Sequence, residues 1–212
     1  MTVTLFLRRR LLGAIALAAG VLVVAGCAST SIRDSWSDPN FTGGPFRKIF
    51  VLGVFQDDGG ERRTFEDIMS DRLRATGVDA VQAYRFLTDG GRVPEPALDA
   101  AVAKSGADGL LMTRLRGVRT RTEVTTTMMT GPAMGGFGWY SGYTAWFPVQ
   151  EVRQFDIATV ESSLFDVRTR KLVWTAVTET FSPTSVRQEA PGFADVIIRS
   201  LAERGLLPRK GS

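Results

Sequence analysis

The segment Lys48 to Phe55, KIFVLGVF, sets the strongest limit on what this chain can fold into. From Ile49 to Phe55 it is apolar, with several branched side chains. A strand points successive side chains to opposite faces, so an unbroken apolar run needs cover on both. That describes a central strand between two layers, not the half-wet strand of a hairpin.

The following residues supply the layers. QDDGG breaks the run, and from Glu61 to Thr76 the apolar period becomes helical. Phe65, Ile68, Met69 and Leu73 fall on one face, and Gly77 is a natural stop. VDAVQAY (78–84) reads as a second strand, and Ala97 to Ser105 as a short helix with Leu98, Ala101 and Val102 inward. DGLLMTRL (108–115) reads as a third strand. The order strand, helix, strand, helix, strand predicts parallel pairing through right-handed crossovers.

The pattern then turns antiparallel. From Val118 to Met128, Val and Thr on one face alternate with Arg119, Arg121 and Glu123 on the other, as in a half-exposed strand. Val152 to Val167 is a second long alternating segment, DVRTRK (166–171) a turn, and LVWTAVTETF (172–181) the returning strand. Ser185 to Arg204 predicts a last helix burying Phe193, Val196, Ile197 and Leu201, with Pro191 marking its first turn. The expectation is a single α/β domain over 47–205. It has a β-α-β-α-β start with parallel pairing, then a long antiparallel hairpin and a C-terminal helix, forming a mixed sheet. Residues 206–212 are a tail.

Upstream of this domain the chain is of a different kind. Arg8, Arg9 and Arg10 precede an uncharged apolar run from Leu11 to Val24. That run is short for a membrane span of about 20 residues, but it fits the core of a secretory signal peptide. Val24-Ala25-Gly26-Cys27 then resembles a bacterial lipobox, with Val where Leu is commoner. The resemblance implies a signal peptide over 1–26, recognised through Val24, Ala25 and Gly26. It also implies lipidation of Cys27 as the first mature residue, because a thiol can take a lipid as a thioether. Two or three acyl chains anchor stably where one holds marginally. Residues 27–46 read as a lipidated tether, with Trp36 and Phe41 either tucked against the domain or sitting in the lipid interface.

Processing changes the charge argument. The full chain carries +4, and removing three signal arginines leaves +1. A nucleic-acid partner loses its electrostatic support. Cys27 is the only cysteine, so the lipidated monomer has no disulfide.

The chemistry available is narrow. The chain has no histidine, which excludes Ser-His-Asp and Cys-His mechanisms and removes the commonest zinc ligand. DDGGE (57–61) lacks the ligand spacing of a calcium loop and the pattern of a phosphate loop. Glu66, Asp67 and Asp71 beside Arg62, Arg63, Arg72 and Arg74 read as a solvated helix face. No catalytic residue, metal site or cofactor is expected. The segment 125–150 stands out instead, as a Gly- and aromatic-rich hairpin or loop. Met128, Met129 and Met134 lie among Phe137, Trp139, Tyr140, Tyr143, Trp146 and Phe147, with glycines between. Rigid aromatics and pliable methionines suit an adaptable contact surface. The alternative is a long loop folded over its own core.

WSDPNFTGGPFRKIFVLGV (36–54) resembles the entry to the folded domain in uncharacterised bacterial envelope lipoproteins. The two-crossover start, FDVRTRKLVW (165–174) and the last helix are more distantly similar to three groups. These are the amino-terminal domain of the Tol-system translocation protein, penicillin-binding-protein activator lipoproteins and the curli-secretion lipoprotein. The resemblance implies a membrane-anchored, non-catalytic binding or assembly role in the cell envelope, with another envelope protein or a second copy as partner. Ala28 after the cysteine favours the periplasmic face of the outer membrane. Two alternatives are an envelope hydrolase acting on cell wall or polysaccharide, and an oligomeric secretion-pore component.

Overall fold

The computed structural model describes residues 30–55, 60–87, 93–132 and 144–208, with the backbone alone at 129–132 and 144–149. The strands are β1 (Thr30–Ser37), β2 (Lys48–Val54), β3 (Asp79–Gln82), β4 (Gly109–Pro132), β5 (Thr144–Asp166) and β6 (Lys171–Phe181). The α-helices are α1 (Gly60–Arg74), α2 (Glu95–Ser105) and α3 (Val186–Glu203). All six strands form one mixed sheet in the order β1-β6-β5-β4-β2-β3.

The parallel start is present as the sequence predicts. Strand β2 pairs in parallel with β3 on one side and with β4 on the other. The chain moves outward from β2 to β3, then back past β2 to β4. Two right-handed crossovers in opposite directions put their helices on opposite faces of the sheet. Helix α1 therefore covers one face and α2 the other, which is the double cover that KIFVLGVF needs.

Two apolar layers result. On the first face Ile49, Val51, Leu111, Leu164 and Trp174 pack under Phe65, Met69 and Leu73 of α1 and under Phe193, Ile197 and Leu201 of α3. On the second, Phe50 and Leu52 pack with Ala101 and Val102 of α2 and with Ala83 and Leu87. Helix α2 has 11 residues, so the second layer is small. It reaches Leu110 and Met112 at the start of β4 and Val167 after β5.

Several expectations change. Thr30–Ser37, expected inside a tether, is strand β1, antiparallel to β6 from Thr30↔Thr180 to Ser37↔Trp174. Ile32 packs against the first core, and Arg204 beyond α3 donates to the hydroxyls of Ser35 and Ser37. Phe41 stacks on Phe46 at 5.6 Å, whereas Trp36 is 46% exposed. Helix α3 starts at Val186, not at Pro191, which lies inside it. Its start is fixed by Ser185, whose side chain accepts from the Gln188 N–H. Val196 is half-buried, and Ile198 takes the core position instead.

Glu66 also departs from expectation. It is fully buried rather than solvated, and Arg62 is 6% exposed. The register explains why a carboxylate belongs there. Strand β3 pairs with β2 only as far as Val51↔Gln82, leaving the Gly53 N–H beyond the ladder. Glu66 Oε1 accepts from that N–H at 3.0 Å and from Arg62 Nε at 2.9 Å, while Oε2 accepts from the Tyr84 N–H at 2.8 Å. One side chain of α1 thus ties the ends of β2 and β3 to the helix. Burial pushes the Glu66 carboxyl above its ordinary value, against the pull of Arg62 and the two N–H donors. Nearby, the Tyr84 hydroxyl donates to Asp67 at 2.7 Å, which raises the phenol.

The long hairpin is real, and it outruns the sheet. Pairing of β4 with β2 ends at Arg114, and pairing of β5 with β6 ends at Ile157↔Phe181. The β4–β5 ladder runs on from Thr120↔Asp156 to Pro132↔Thr144. At about 3.4 Å per residue this two-stranded arm extends on the order of 40 Å beyond the sheet. A bulge between Leu115 and Gly117 sets its root.

Two predictions follow from this packing. Glu66→Gln places an amide N–H₂ among three donors and removes the buried charge that Arg62 Nε faces, a loss of about 2–4 kcal/mol in urea unfolding at pH 7. Folded Glu66 holds its proton more tightly than the unfolded chain. Wild type therefore gains stability over the Gln variant as pH falls towards the unfolded value near 4.5. Replacing residues 123–152 by a short turn removes no core residue among the described ones and should change the unfolding free energy by less than about 1 kcal/mol.

Candidate functional site

The sequence singles out two groups of residues. Val24, Ala25, Gly26 and Cys27 lie outside the described residues, as do Met134, Phe137, Trp139, Tyr140 and Tyr143. The backbone places Met129 opposite Phe147 and Thr130 opposite Trp146 in the outer part of the arm. Met128, opposite Pro148, is 54% exposed. The described part of segment 125–150 is thus a hairpin as far as Pro132 and Thr144.

The arm carries an exposed apolar stripe. Val118, Val124 and Met128 of β4 share a face, and register sets Val152 of β5 directly opposite Val124. All four are more than half exposed. Cross-strand pairs of this kind stabilise a ribbon only modestly, and an isolated two-stranded hairpin is marginal in water. Arg153 and Glu151 pair at 2.8 Å on the other face, and Thr120 donates to Asp156 at 2.7 Å near the root.

At the arm's root, on the face that carries Val118, lies a groove of about 340 Å³. Phe65 and Phe193 line it from α1 and α3, Leu115 and Val160 from the sheet, Phe55 from the end of β2 and Val186 from the start of α3. Its charged lining residues are all acidic: Glu61, Asp156 and Glu189. Two of these have structural duties. Asp156 accepts from Thr120, and Glu189 accepts from the backbone N–H and hydroxyl of Thr184 at 3.2 and 3.0 Å. With Ser185 this caps α3, so the helix start is already occupied by the chain's own oxygens.

The opposite sheet face is different in charge. Helix α2 stops short of it, and a patch of ion pairs takes its place. Glu161 accepts from Arg114 at 2.6 Å and lies 3.6 Å from Arg116. Glu179 pairs with Arg33 at 2.7 Å and with Arg119 at 2.5 Å. Arg33 also lies over the Phe181 ring, and Phe155 meets Phe181 at 6.0 Å. Glu179 is 9% exposed, sheltered beneath its two guanidiniums.

Sequence reasoning read Arg119 and Arg121 as the wet side of a strand and passed over Arg114 and Arg116. The signal was RLRGVRTR (114–121), four arginines in eight positions across a glycine bulge. The groove left no such trace, because its walls come from distant segments. Among the described residues no group of three His, Cys, Asp or Glu is placed to hold a metal ion. No described helix is long and apolar enough to cross a membrane.

No protein-family model matches the chain, and no curated protein does. Among solved structures it is similar to a PelC dodecamer from Paraburkholderia phytofirmans, at 18% identity and a TM-score of 0.44, covering 85% of this chain and 99% of that one. It is also similar to the lipoprotein GNA1162 from Neisseria meningitidis, at 12% identity and 0.38, covering 74% and 96%. A PDZ domain protein from Parabacteroides distasonis matches at 9% and 0.41, covering 83% of this chain and 36% of that one.

Proposed function

We propose that this chain is a lipid-anchored envelope protein with a non-catalytic binding or assembly role, and that the β4–β5 arm is its contact element. The observation that carries this reading is the arm itself. Two strands of 24 and 23 residues continue well past their sheet neighbours. Val124, Met128 and Val152 stay more than half exposed there, and none belongs to either apolar core. Exposed apolar side chains grouped on one face mark interaction surfaces. The arm contributes little to folding, so its length is accounted for by reach.

The anchor rests on the lipobox sequence around Cys27. The partner on the arm is another envelope protein or a second copy of this chain, and the periplasmic face of the outer membrane is the location that Ala28 favours. The hydrolase alternative has less support. Asp156 and Glu189 sit around the groove, but each holds a hydrogen bond that shapes the arm root or the cap of α3. Glu66 is sealed in the core.

Two measurements test the reading. Wild type should carry acyl mass on Cys27 by intact-protein mass spectrometry and fractionate with envelope membranes, and Cys27→Ser should lose the acyl mass. Wild type without acyl mass contradicts the anchor. Photo-crosslinkers at Val124 and Val152 in the native envelope should give discrete adducts that crosslinkers on α3 at Arg187 do not give. Deleting 131–147 should abolish or weaken them. Adducts unchanged by that deletion contradict a contact made by the outer arm.

A further inference from the structure

We infer that the uncovered sheet face at the root of the arm is a docking surface for anionic phospholipid headgroups, and that it lays the domain against its membrane. The inference rests on the lipid-anchor reading of Cys27.

The first support is charge. Arg33, Arg114, Arg116 and Arg119 share this face, gathered around Glu161 and Glu179. Alternation along β4 adds Arg121 to the same side, and β1 adds Asp34. Five guanidiniums thus meet three carboxylates. Farther out, Arg153 stands with Glu123 and Glu151, so the excess of positive charge is confined to the root. Arg33, Arg114, Arg116 and Arg119 keep 51% to 64% of their side-chain surface open to solvent. Each buried-side carboxylate fixes its arginines in place while their outer edges stay free. A planar guanidinium presents a fork of donors that matches a phosphate. The groove on the other face is lined by carboxylates and no base, so the two faces are sorted by charge.

The second support is position. Strand β1 begins at Thr30, three residues after Cys27, and three residues span at most about 10 Å. Thr30 pairs with Thr180, and the next pair is Ser31 with Glu179, the carboxylate between Arg33 and Arg119. The anchor point thus lies within one short segment of the arginine patch. Trp36, 46% exposed, lies on this face too, because its register partner Thr175 alternates with the inward-facing Trp174 and Ala176. An exposed Trp beside arginines suits the headgroup layer. Anionic lipids attract such residues over about a Debye length, and the anchor holds the β1 edge of the patch at about that range.

The test uses the full lipidated chain carrying Thr159→Cys with a nitroxide label. Thr159 stands on the same face, opposite Glu179 in register. A second label at Arg187→Cys reports on the helix side. Protein is reconstituted in vesicles of phosphatidylcholine alone or with about 30 mol% phosphatidylglycerol, and accessibility to a water-soluble nickel chelate is measured. The expected result is accessibility at position 159 about threefold lower with phosphatidylglycerol, restored near 0.5 M NaCl, and unchanged at position 187. Arg116→Gln with Arg121→Gln should abolish the difference, while the two Lys replacements should keep most of it. Equal accessibility in both vesicles overturns the inference, as does shielding that survives the Gln pair. Wild type that fails to float with either vesicle removes the anchor and the docking together. Flotation with both, without shielding at 159, removes the docking alone.

Discussion

The rest of the structure depends on covering both faces of β2. Its side chains alternate between two apolar layers, and neither layer tolerates water. Right-handed crossovers supply α1 on one side and α2 on the other. The two sides are unequal. Helices α1 and α3 together span the first face from β2 to β6, while α2, at 11 residues, covers only the β2 end of the second. The open part of the second face must then be made compatible with water. Arg–Glu–Arg groupings do this where a helix would otherwise lie, and they leave an electropositive surface as a consequence of the architecture.

The same inequality shapes the arm. Strands β4 and β5 are held in the sheet only while β2 and β6 flank them. Past those ends they have each other alone, with Val and Met on one side and mixed charges on the other. Surface pairs such as Arg153–Glu151 contribute little to stability. The body should therefore fold without the arm, which leaves the arm available for contact. The groove between the starts of α1 and α3 lies on the same face as Val118, Val124 and Val152, with the polar pairs Thr120–Asp156 and Thr122–Gln154 between them. The arginine face lies on the reverse. A domain sorted in this way has one side suited to anionic lipid and another free for a protein partner.

Much of this was legible from periodicity. KIFVLGVF, the helical spacing of Phe65, Met69 and Leu73, and the two long alternating segments each follow from burial on a repeating geometry. What failed had a weaker link between burial and sequence. Strand β1 lies at the sheet edge and buries little beyond Ile32, so TSIRDSWS reads as polar and irregular. Glu66 looks like any charged helix residue, because its acceptors' task is set by where β3 happens to end. Pro191 reads as a helix start, yet Ser185 and Gln188 carry the stronger cap, and the helix absorbs a proline within its early turns. The groove assembles from distant segments and no local pattern encodes it; RLRGVRTR marks four arginines of the patch, but Arg33, Glu161 and Glu179 join them from other strands.

As the contact element, the arm should open independently of the sheet in the isolated protein and gain protection when its partner covers it. Amide hydrogen exchange over 121–128 and 150–156, compared with 157–166, measures this directly. In purified protein the arm amides should exchange at least about a hundredfold faster than those of β5 inside the sheet, because local opening of the ribbon spares the core. In native membranes the same arm amides should slow towards the sheet values. Equal protection of arm and sheet in the purified protein, or arm exchange as fast in membranes as in solution, would contradict the account.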